Sequence, residues 1–407
     1  MISRKNSQRL LIIIPISALY SVLLFSLTSP DLTEAYFNAS YNKYRYTNDS
    51  SNAKPVFKIF LIGDAGDPDP LGEPVLTALG SELAKWGDSA VVIFLGDNIY
   101  PAGLTDSSSE NRNLYEQKIL SQITSVVSHS ASAYFIPGNH DWNNGAEDGL
   151  MCLNQQEEFV NSFNDLSVRF INKPGCPDPK LVETGNDIAL LFLDTQSLIK
   201  LADEDFPRPD FCKVNSFDDF TGELDSLLNL TKKKFTIIAG HHPIESNGPH
   251  GGYFTWKNHL FPLLELNSYL WIPLPLIGSL YPAARIAGIS EQDLSSNFYS
   301  VFINNMKKVL VNHRNVIYVS GHEHSLQVLK SDGRILQLVS GSGIYGHQNP
   351  VTTSENTIFA GAVPGFMAIT FCKDKSIVLE IIEVEDKNGN YSIAALINLS
   401  DLSGEIN

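Results

Sequence analysis

Five short segments place carboxylate, amide, phenol and imidazole side chains directly after apolar runs of the sequence. In chain order they are Gly63-Asp64-Ala65-Gly66, Gly96-Asp97-Asn98-Ile99-Tyr100, Gly138-Asn139-His140-Asp141, Gly240-His241-His242-Pro243 and Gly321-His322-Glu323-His324. Carboxylate, amide and imidazole groups are suitable ligands for hard or borderline metal ions of divalent or trivalent charge. Together the segments predict a metal site that is assembled from five parts of the chain.

Each of these segments alone is weak evidence for metal binding. Gly-Asp after a strand is commonly only a turn, Gly-Asn-His-Asp can form an Asx-turn, and His-x-His often occurs by chance. The joint pattern is stronger, because all five segments follow apolar runs. Six of the ten histidines fall in or beside these segments, and the other four are expected to be surface or core residues: His129, His259, His313 and His347.

The apolar runs before the five segments are predicted to be short buried strands. Helix-like patterns at 73–86 and 112–128 alternate with them, which indicates a layered α/β fold. In such folds ligands bind beyond the C-terminal ends of the strands, so the five segments are expected to meet at one edge. After residue 325 the helical pattern fades, and four further strands are predicted to complete the second sheet.

This ordered series resembles the calcineurin-like metallophosphoesterase superfamily, from about residue 56 to residue 345. The Gly-Asp-Asn-x-Tyr form at 96–100 is similar to the purple acid phosphatase branch of that superfamily. The sequences GHEHSLQVL and LVSGSG also resemble the small, animal-type acid phosphatases of the branch. The resemblance implies an α/β fold in four layers, a sandwich of two mixed β-sheets flanked by helices, within a domain that spans 56–400.

The resemblance also implies a dinuclear metal centre and a division of the ligands between its two ions. Asp97 would bridge both metals; Asp64, Tyr100 and His324 would bind the first, and Asn139, His241 and His322 the second. Phenolate and carboxylates suit Fe³⁺, whereas amide and imidazoles suit a divalent ion such as Fe²⁺, Zn²⁺ or Mn²⁺. The implied activity is phosphomonoester hydrolysis of the acid phosphatase type, with a metal-bound hydroxide as nucleophile.

Three further residues have implied roles in catalysis. His140 is expected near the leaving group, where it would stabilise or protonate the departing oxygen. Asp141 either orients His140 or caps a helix. His250 follows His241 by nine residues, the spacing of a substrate-contacting histidine in that branch. The chain departs from the small acid phosphatases at His242, where they generally have tyrosine, and we expect His242 to be exposed at the pocket rim.

The composition of the 407-residue chain limits its partners. Its formal net charge of −16 argues against nucleic acid, because a phosphate backbone favours basic surfaces. A small phosphorylated substrate remains compatible, since a local metal site can override the overall field. A phosphodiesterase or a lipid-phosphate hydrolase is the alternative activity, a non-catalytic binding protein is a third hypothesis, and the oligomeric state stays open.

The N-terminal sequence predicts export from the cytoplasm. Three cations, Arg4, Lys5 and Arg9, precede an uncharged apolar stretch at 10–28, which is either a signal-anchor or a cleaved signal peptide. Both alternatives give an extracytoplasmic location. Residues 29–55 are polar and are predicted to be a flexible stalk. In an exported protein Cys176 and Cys212 are our preferred disulfide pair among the four cysteines.

The segment 260–289 is unusually apolar and carries only Glu265 and Arg285 as charges. Four prolines exclude a single straight helix. Two interpretations stay open, an insertion that covers the core and an apolar lid or membrane-contacting loop beside the active site. The segment is also absent from the small acid phosphatases, so their substrate specificity does not transfer to this chain.

Overall fold

The computed structural model describes residues 28–29, 32, 34–46, 54–163, 167–185, 187–265, 267 and 269–404. Fifteen strands lie in this part of the chain. They are β1 (Tyr36–Phe37), β2 (Pro55–Ile62), β3 (Ala90–Phe94), β4 (Ser132–Phe135), β5 (Val168–Phe170), β6 (Lys180–Glu183), β7 (Ile188–Phe192), β8 (Phe235–Ala239), β9 (Val316–Ser320), β10 (Leu326–Ser331), β11 (Ile335–Ser340), β12 (Thr357–Gly361), β13 (Gly365–Cys372), β14 (Ile377–Val384) and β15 (Tyr391–Asn398).

The strands form two mixed sheets. The first has the order β15-β14-β13-β2-β3-β4-β5, and the second has the order β1-β12-β10-β11-β9-β8-β7-β6. The central strands β2 to β5 pair in parallel, as do β7, β8, β9 and β11, and antiparallel strands complete both sheets. Parallel pairing brings the C-terminal ends of β2, β3 and β4 to one edge, and those of β8 and β9 to one edge of the second sheet.

The described part of the chain contains nine α-helices, several of which cover the outer faces of the two sheets. They are α1 (Pro74–Leu83), α2 (Arg112–Val127), α3 (Gly149–Asn161), α4 (Thr195–Ile199), α5 (Phe217–Leu230), α6 (Trp256–Leu260), α7 (Leu280–Ile286), α8 (Asn297–Leu310) and α9 (Leu399–Gly404). Short 3-10 segments lie at Ala39–Tyr44, Gly87–Ser89, Asn143–Gly145, Pro249–Gly251, Pro262–Glu265 and Ile277–Ser279. The two helices expected at 73–86 and 112–128 are therefore present as α1 and α2.

The core explains why the strands are apolar throughout their length. On β2, Ile59 and Leu61 belong to the central core, which they share with residues of the second sheet such as Ile237. The alternate residues Phe60 and Ile62 pack in an outer core with the side chains of α1, α2 and α3. A third core joins the second sheet to α5 and α8. The four-layer sandwich of two mixed sheets flanked by helices is thus confirmed.

The prediction for the last strands was wrong in one respect. The strands β10, β11 and β12 do belong to the second sheet. The chain then crosses back, because β13 pairs antiparallel with β2, with Met367 opposite Leu61, and β14 and β15 extend the first sheet. Both sheets are buried on two faces, so the hydrophobic pattern alone does not distinguish which of them a strand joins.

The predicted stalk at 29–55 is not a stalk in its described residues 34–46. Strand β1 pairs with β12, the following 3-10 helix buries Tyr44, and Arg45 forms a β-bridge with Ile397. Residues 47–53 lie outside the described part of the chain, as does the apolar stretch at 10–27. In the residues that the structure describes, we find no helix with the length and apolar character needed to cross a bilayer.

Two further expectations concern the middle of the chain. The predicted disulfide is confirmed, since Cys176 and Cys212 are bonded with their Cα atoms 5.3 Å apart. The apolar segment 260–289 is mostly exposed, and of its described residues only Gly278 and Pro282 are buried. The segment therefore does not contribute a second hydrophobic core, in spite of its composition. It forms a small helical insertion in which α6, the 3-10 turns and α7 pack on one another.

Candidate metal centre

The five polar segments follow strands β2, β3, β4, β8 and β9, where tight backbone turns direct their side chains inward. Asp64, Asp97 and His322 have positive φ values of 59°, 53° and 66°, a region that residues other than glycine seldom adopt. Glycine is required where the loops approach each other, because a Cβ on Gly138 would lie 2.3 Å from Asp97 Oδ1. Such strained turns are maintained by the packed sheets beneath them and are typical of functional sites.

A first cluster of ligand atoms surrounds the hydroxyl of Tyr100. This oxygen lies 3.0 Å from Asp64 Oδ1, 3.0 Å from Asp97 Oδ2 and 3.1 Å from His324 Nε2. His324 Nε2 in turn lies 3.3 Å from Asp64 Oδ1. The structure therefore brings together the residues that were assigned to the first metal, together with the expected bridging aspartate.

A second cluster surrounds the side-chain oxygen of Asn139. This atom lies 3.1 Å from His241 Nε2 and 3.1 Å from His322 Nδ1. The amide of Asn139 is oriented by Asn144, whose Oδ1 accepts a hydrogen bond from Asn139 Nδ2. His241 Nε2 is also 3.4 Å from Asp97 Oδ2, so the same carboxylate oxygen of Asp97 faces both clusters.

The outer nitrogen of each ligand histidine faces a backbone carbonyl. His241 Nδ1 lies 2.8 Å from the oxygen of Leu95, His322 Nε2 lies 2.9 Å from that of Gln292, and His324 Nδ1 lies 3.0 Å from that of His347. A carbonyl accepts hydrogen bonds, so these contacts place the N–H on the outer nitrogen of a neutral ring. The lone pair of the inner nitrogen then points into the cluster. Metal-binding histidines are commonly oriented in this way.

The donor set fits two cations. In the neutral tautomers just described, the inner nitrogens of His241 and His322 carry lone pairs, and both face the side-chain oxygen of Asn139. Three hydrogen-bond acceptors therefore face one another in a buried site. One phenol proton of Tyr100 likewise serves two carboxylates. Ligand atoms of Asp64, Asp97 and His241 all lie within 4.8 Å of one another. A cation placed between these atoms would bind the lone pairs that accept no hydrogen bond.

The electrostatics agree with this assignment. Burial disfavours protonation of His241, but the charge of Asp97 prevails and raises the pKa of the imidazole to about 9. Burial raises the pKa of the Tyr100 phenol well above its usual value, and the carboxylates of Asp64 and Asp97 raise it further. The centre therefore favours a positive charge beside Asp97, and Tyr100 would ionise only next to a compensating cation.

The prediction that His242 is exposed at the pocket rim was wrong. Its side chain is completely buried, with Nδ1 2.7 Å from Thr195 Oγ1 and Nε2 2.9 Å from Gln292 Oε1. Burial holds the pKa of His242 well below its usual value. The ring lies near His241 and His322, but both of its nitrogens already have polar partners. His242 is thus a neutral packing residue behind the ligand histidines.

The expected role of Asp141 is also not supported by the structure. Its carboxylate accepts hydrogen bonds from the backbone N–H groups of Asn98 and Gly138, at 3.0 Å and 2.8 Å. Burial, together with the charge of Asp97, raises the pKa of Asp141 to about 7. Asp141 does not cap a helix either, because the next α-helix, α3, begins at Gly149. It connects two ligand-bearing loops instead.

His140 and His250 both line a pocket of about 470 Å³ above the two clusters. His140 Nε2 lies 4.0 Å from Asp97 Oδ2, and its Nδ1 lies 2.7 Å from the carbonyl oxygen of Pro101. The side chains of His140 and His250 are 28% and 20% exposed, so both remain accessible to a ligand. The expected proximity of both histidines to the metal-ligand candidates is therefore observed.

Residues to which the sequence analysis gave no role at the site hold His250 in place. His250 Nδ1 lies 3.1 Å from Asp293 Oδ1 and 3.1 Å from Arg285 Nη2, and Arg285 forms a two-point ion pair with Asp293. Arg285 and Glu265 also line the pocket. The sequence signal that could have identified Arg285 and Glu265 is their isolation, since they are the only charged residues of 260–289.

Two buried donor clusters at the C-terminal edge of a two-sheet sandwich are the arrangement expected of a metallophosphoesterase. The chain belongs to the calcineurin-like phosphoesterase family, whose family model matches residues 57–326. Its sequence relatives place it in the purple-acid-phosphatase-like branch, and they support an enzyme that acts on phosphoesters.

Three of these similarities are representative. Purple acid phosphatase 17 of Arabidopsis thaliana is 24% identical over 323 residues, which is 76% of either chain. Tartrate-resistant acid phosphatase type 5 of Homo sapiens is 21% identical over 305 residues, covering 72% of this chain and 75% of that protein. The solved structure of purple acid phosphatase PPD1 from yellow lupin (Lupinus luteus) seeds has 12% identity and a TM-score of 0.48, covering 85% of this chain and 54% of that one.

Proposed function

We propose that the protein is an acid-phosphatase-type phosphomonoesterase with a dinuclear metal centre. The observation that carries the proposal is the pair of donor clusters that share Asp97 Oδ2 beneath a pocket with two accessible histidines. One ion would be held by Asp64, Tyr100 and His324, the other by Asn139, His241 and His322, and Asp97 would contact both. Fe³⁺ beside Tyr100 and Fe²⁺, Zn²⁺ or Mn²⁺ beside Asn139 suit these ligands.

When bound, the two ions would lower the pKa of a coordinated water and offset charge on the phosphoryl oxygens. The residues of the chain then position the substrate. His140 contacts the carbonyl of Pro101 through Nδ1–H, so it would act as an imidazolium: its Nε2–H would give a proton to the leaving oxygen and the ring would become neutral. His250, held by Asp293, would bind a phosphoryl oxygen from the opposite side of the pocket.

One observation favours an alternative substrate class. The insertion adds Glu265 and Arg285 to the pocket wall, so the substrate must fit beside a segment that is otherwise apolar. The exposed apolar side chains of the insertion lie outside the pocket lining, where the second ester group of a phosphodiester or the tail of a lipid phosphate would contact them. The same metal centre would serve either substrate.

A substrate panel tests the proposal. The full chain would be loaded with Fe³⁺ and Zn²⁺ or with Mn²⁺, and hydrolysis of an aryl monoester, an alkyl monoester, a diester and a phosphatidic acid would be compared at equal concentration. We expect turnover of both monoesters to exceed that of the diester and the lipid. Preferred cleavage of the diester or of phosphatidic acid would support the alternative, and no turnover with any metal would refute both.

Substitution of Tyr100 by phenylalanine tests the assignment of ferric iron. Tyr100→Phe removes the only phenol in the two clusters, so we expect loss of the visible phenolate-to-iron absorption of the iron-loaded protein while the fold is kept. Absorption spectra with metal analysis measure this, and Tyr269→Phe, at an 87% exposed tyrosine, is the matched control. An active wild-type protein without iron or colour would contradict the assignment.

The location of the protein is also proposed. The disulfide between Cys176 and Cys212 fits an oxidising compartment, which agrees with the export signal predicted at 10–28. We infer that the enzyme is extracytoplasmic and that this apolar stretch anchors it to a membrane. Processing of the N-terminus can be measured by mass spectrometry of the purified protein, and a mature chain that begins after residue 28 would exclude the anchor.

A further inference from the structure

The insertion exposes a large apolar surface, which we call the insertion face. We define it by seven exposed residues whose exposed fractions range from 48% to 87%: Trp256, directly before the insertion, and Tyr269, Trp271, Ile272, Leu276, Ile277 and Leu280 within it. Soluble proteins seldom expose so many large apolar side chains within one short segment, and such patches usually mark a binding surface. The insertion face therefore requires a partner.

The aromatic part of this face is continuous. The ring centroids of Trp256 and Phe261 are 6.2 Å apart, and those of Phe261 and Trp271 are 5.3 Å apart. A backbone hydrogen bond from Leu274 N–H to the carbonyl of Leu260 ties the two sides of the insertion together. The outer rings belong to Trp256 and Trp271, which are 48% and 57% exposed, so the cluster presents tryptophan to its surroundings.

The charges of the insertion are engaged at the active-site pocket. Arg285 pairs with Asp293 and contacts His250, while Glu265 accepts a hydrogen bond from Asn258. No other charged residue occurs between 260 and 289. The insertion face consequently offers a protein partner few groups for ion pairs, whereas tryptophan, tyrosine and aliphatic side chains suit the interface of a lipid bilayer.

The contact that Ser29 makes with the domain also supports a lipid bilayer as the partner. The N–H of Ser29 donates a hydrogen bond of 2.8 Å to the carbonyl of Phe254. Phe254 contacts the insertion directly, with its ring 6.1 Å from that of Tyr281 in α7. The uncharged apolar stretch 10–28 therefore ends beside the insertion. The residue that follows this stretch is thus fixed next to the second apolar part of the sequence, the insertion.

We propose that the insertion face docks on a lipid bilayer, with Trp256, Trp271 and Tyr269 in the headgroup region. Its position next to residue 29 allows the face and the stretch 10–28 to contact the same membrane. Because Glu265 and Arg285 of this insertion line the pocket, docking places the active site near the lipid surface. The net charge of −16 disfavours anionic lipid, so zwitterionic lipid is the expected surface. The proposal does not depend on which phosphoester is hydrolysed.

Tryptophan quenching by lipid tests the docking. The full chain would be reconstituted into phosphatidylcholine vesicles with and without brominated acyl chains, which quench only tryptophans that contact lipid. The chain has four tryptophans, and Trp142 is buried in the core while Trp86 lies in the loop after α1. We expect quenching in the wild type and its loss in the double variant Trp256→Phe, Trp271→Phe. Trp86→Phe is the control and should keep the quenched signal.

A second variant separates docking from folding. Leu280→Glu places a charge at a 67% exposed position outside the pocket, so the fold and turnover of a soluble monoester should be unchanged while quenching falls. Addition of phosphatidylserine should not increase quenching. Wild-type emission that brominated lipid leaves unchanged would overturn the proposal, and in that case dimerisation that Leu280→Glu abolishes would identify a second copy as the occupant.

Discussion

Substitution of Asp97 by asparagine is expected to reduce turnover by about 10³-fold or more. This reduction equals or exceeds the loss of turnover that follows removal of one electrostatic contact from an active site. Asp97 Oδ2 lies 3.0 Å from the Tyr100 hydroxyl and 3.4 Å from His241 Nε2, so it is the one side-chain atom that faces both clusters. Asparagine can keep Oδ1 as the acceptor for the backbone N–H of His140. Its amide nitrogen would then replace Oδ2, and both metal positions would lose an anionic ligand.

The fold should survive this change. Asp97 has a φ of 53°, and asparagine is among the few residues that tolerate this left-handed region. The measurements are kcat on an aryl phosphate, the metal content per chain, and the thermal unfolding temperature. Asp88→Asn, at an exposed carboxylate before β3, is the matched control and should leave all three unchanged. A variant with full turnover and two bound metals would exclude the bridging role.

The features that could be predicted from sequence are those encoded within a few neighbouring residues. The segments that contain Asp64, Asp97 and Asn139 each join a buried strand to a glycine turn and a ligand side chain, and the parallel sheet brings such turns together. Periodicity likewise located α1 and α2. The Cys176–Cys212 pair followed from the expected export and from the position of the two cysteines around one strand.

The predictions that failed depend on which other residues surround a side chain rather than on the type of the residue itself. His242 is next to a ligand in sequence, but Thr195 and Gln292 enclose it from distant parts of the chain. Asp141 follows His140 directly, yet the turn directs the two side chains to different places. The sequence gives no direct information on such contacts, which depend on how loops from separate strands pack.

The insertion shows the same limit at a larger scale. Its composition suggested either a cover for the core or a surface for a membrane, and both interpretations fit an apolar sequence with four prolines. The structure shows that nearly all of its described residues are at least partly exposed, so the segment is not part of a buried core, and its contact with a membrane is a proposal. Asp293 was missed for a related reason. It contacts His250 from a position 43 residues away in the sequence.

Substitution of His140 by alanine is expected to have an effect that depends on the leaving group. For an alkyl phosphomonoester, whose leaving alkoxide is strongly basic, loss of the proton donor should lower kcat by about 10²-fold. For a nitrophenyl phosphate the departing oxygen needs little protonation, and the loss should be much smaller. The alanine variant keeps the backbone N–H that donates to Asp97 Oδ1 at 2.8 Å, so the metal ligands should stay in place.

Comparison of the two substrates gives the test its specificity. A structural defect at the loop would lower kcat for both substrates equally, whereas loss of a proton donor steepens the dependence of the rate on leaving-group pKa. His129→Ala is the matched control, because His129 lies just after α2. Its Nδ1 is hydrogen-bonded to the backbone carbonyl of Ser125 rather than to a residue of the pocket. Equal losses for both substrates in His140→Ala, with metal content and thermal unfolding temperature unchanged, would assign this histidine to phosphate binding, whereas equal losses with either of these altered would indicate a structural defect. A larger loss for the alkyl phosphate than for the nitrophenyl phosphate, with unchanged metal content, would assign His140 to leaving-group protonation. The contact of Nδ1 with the carbonyl of Pro101 favours this role, because it leaves Nε2 free to face the substrate.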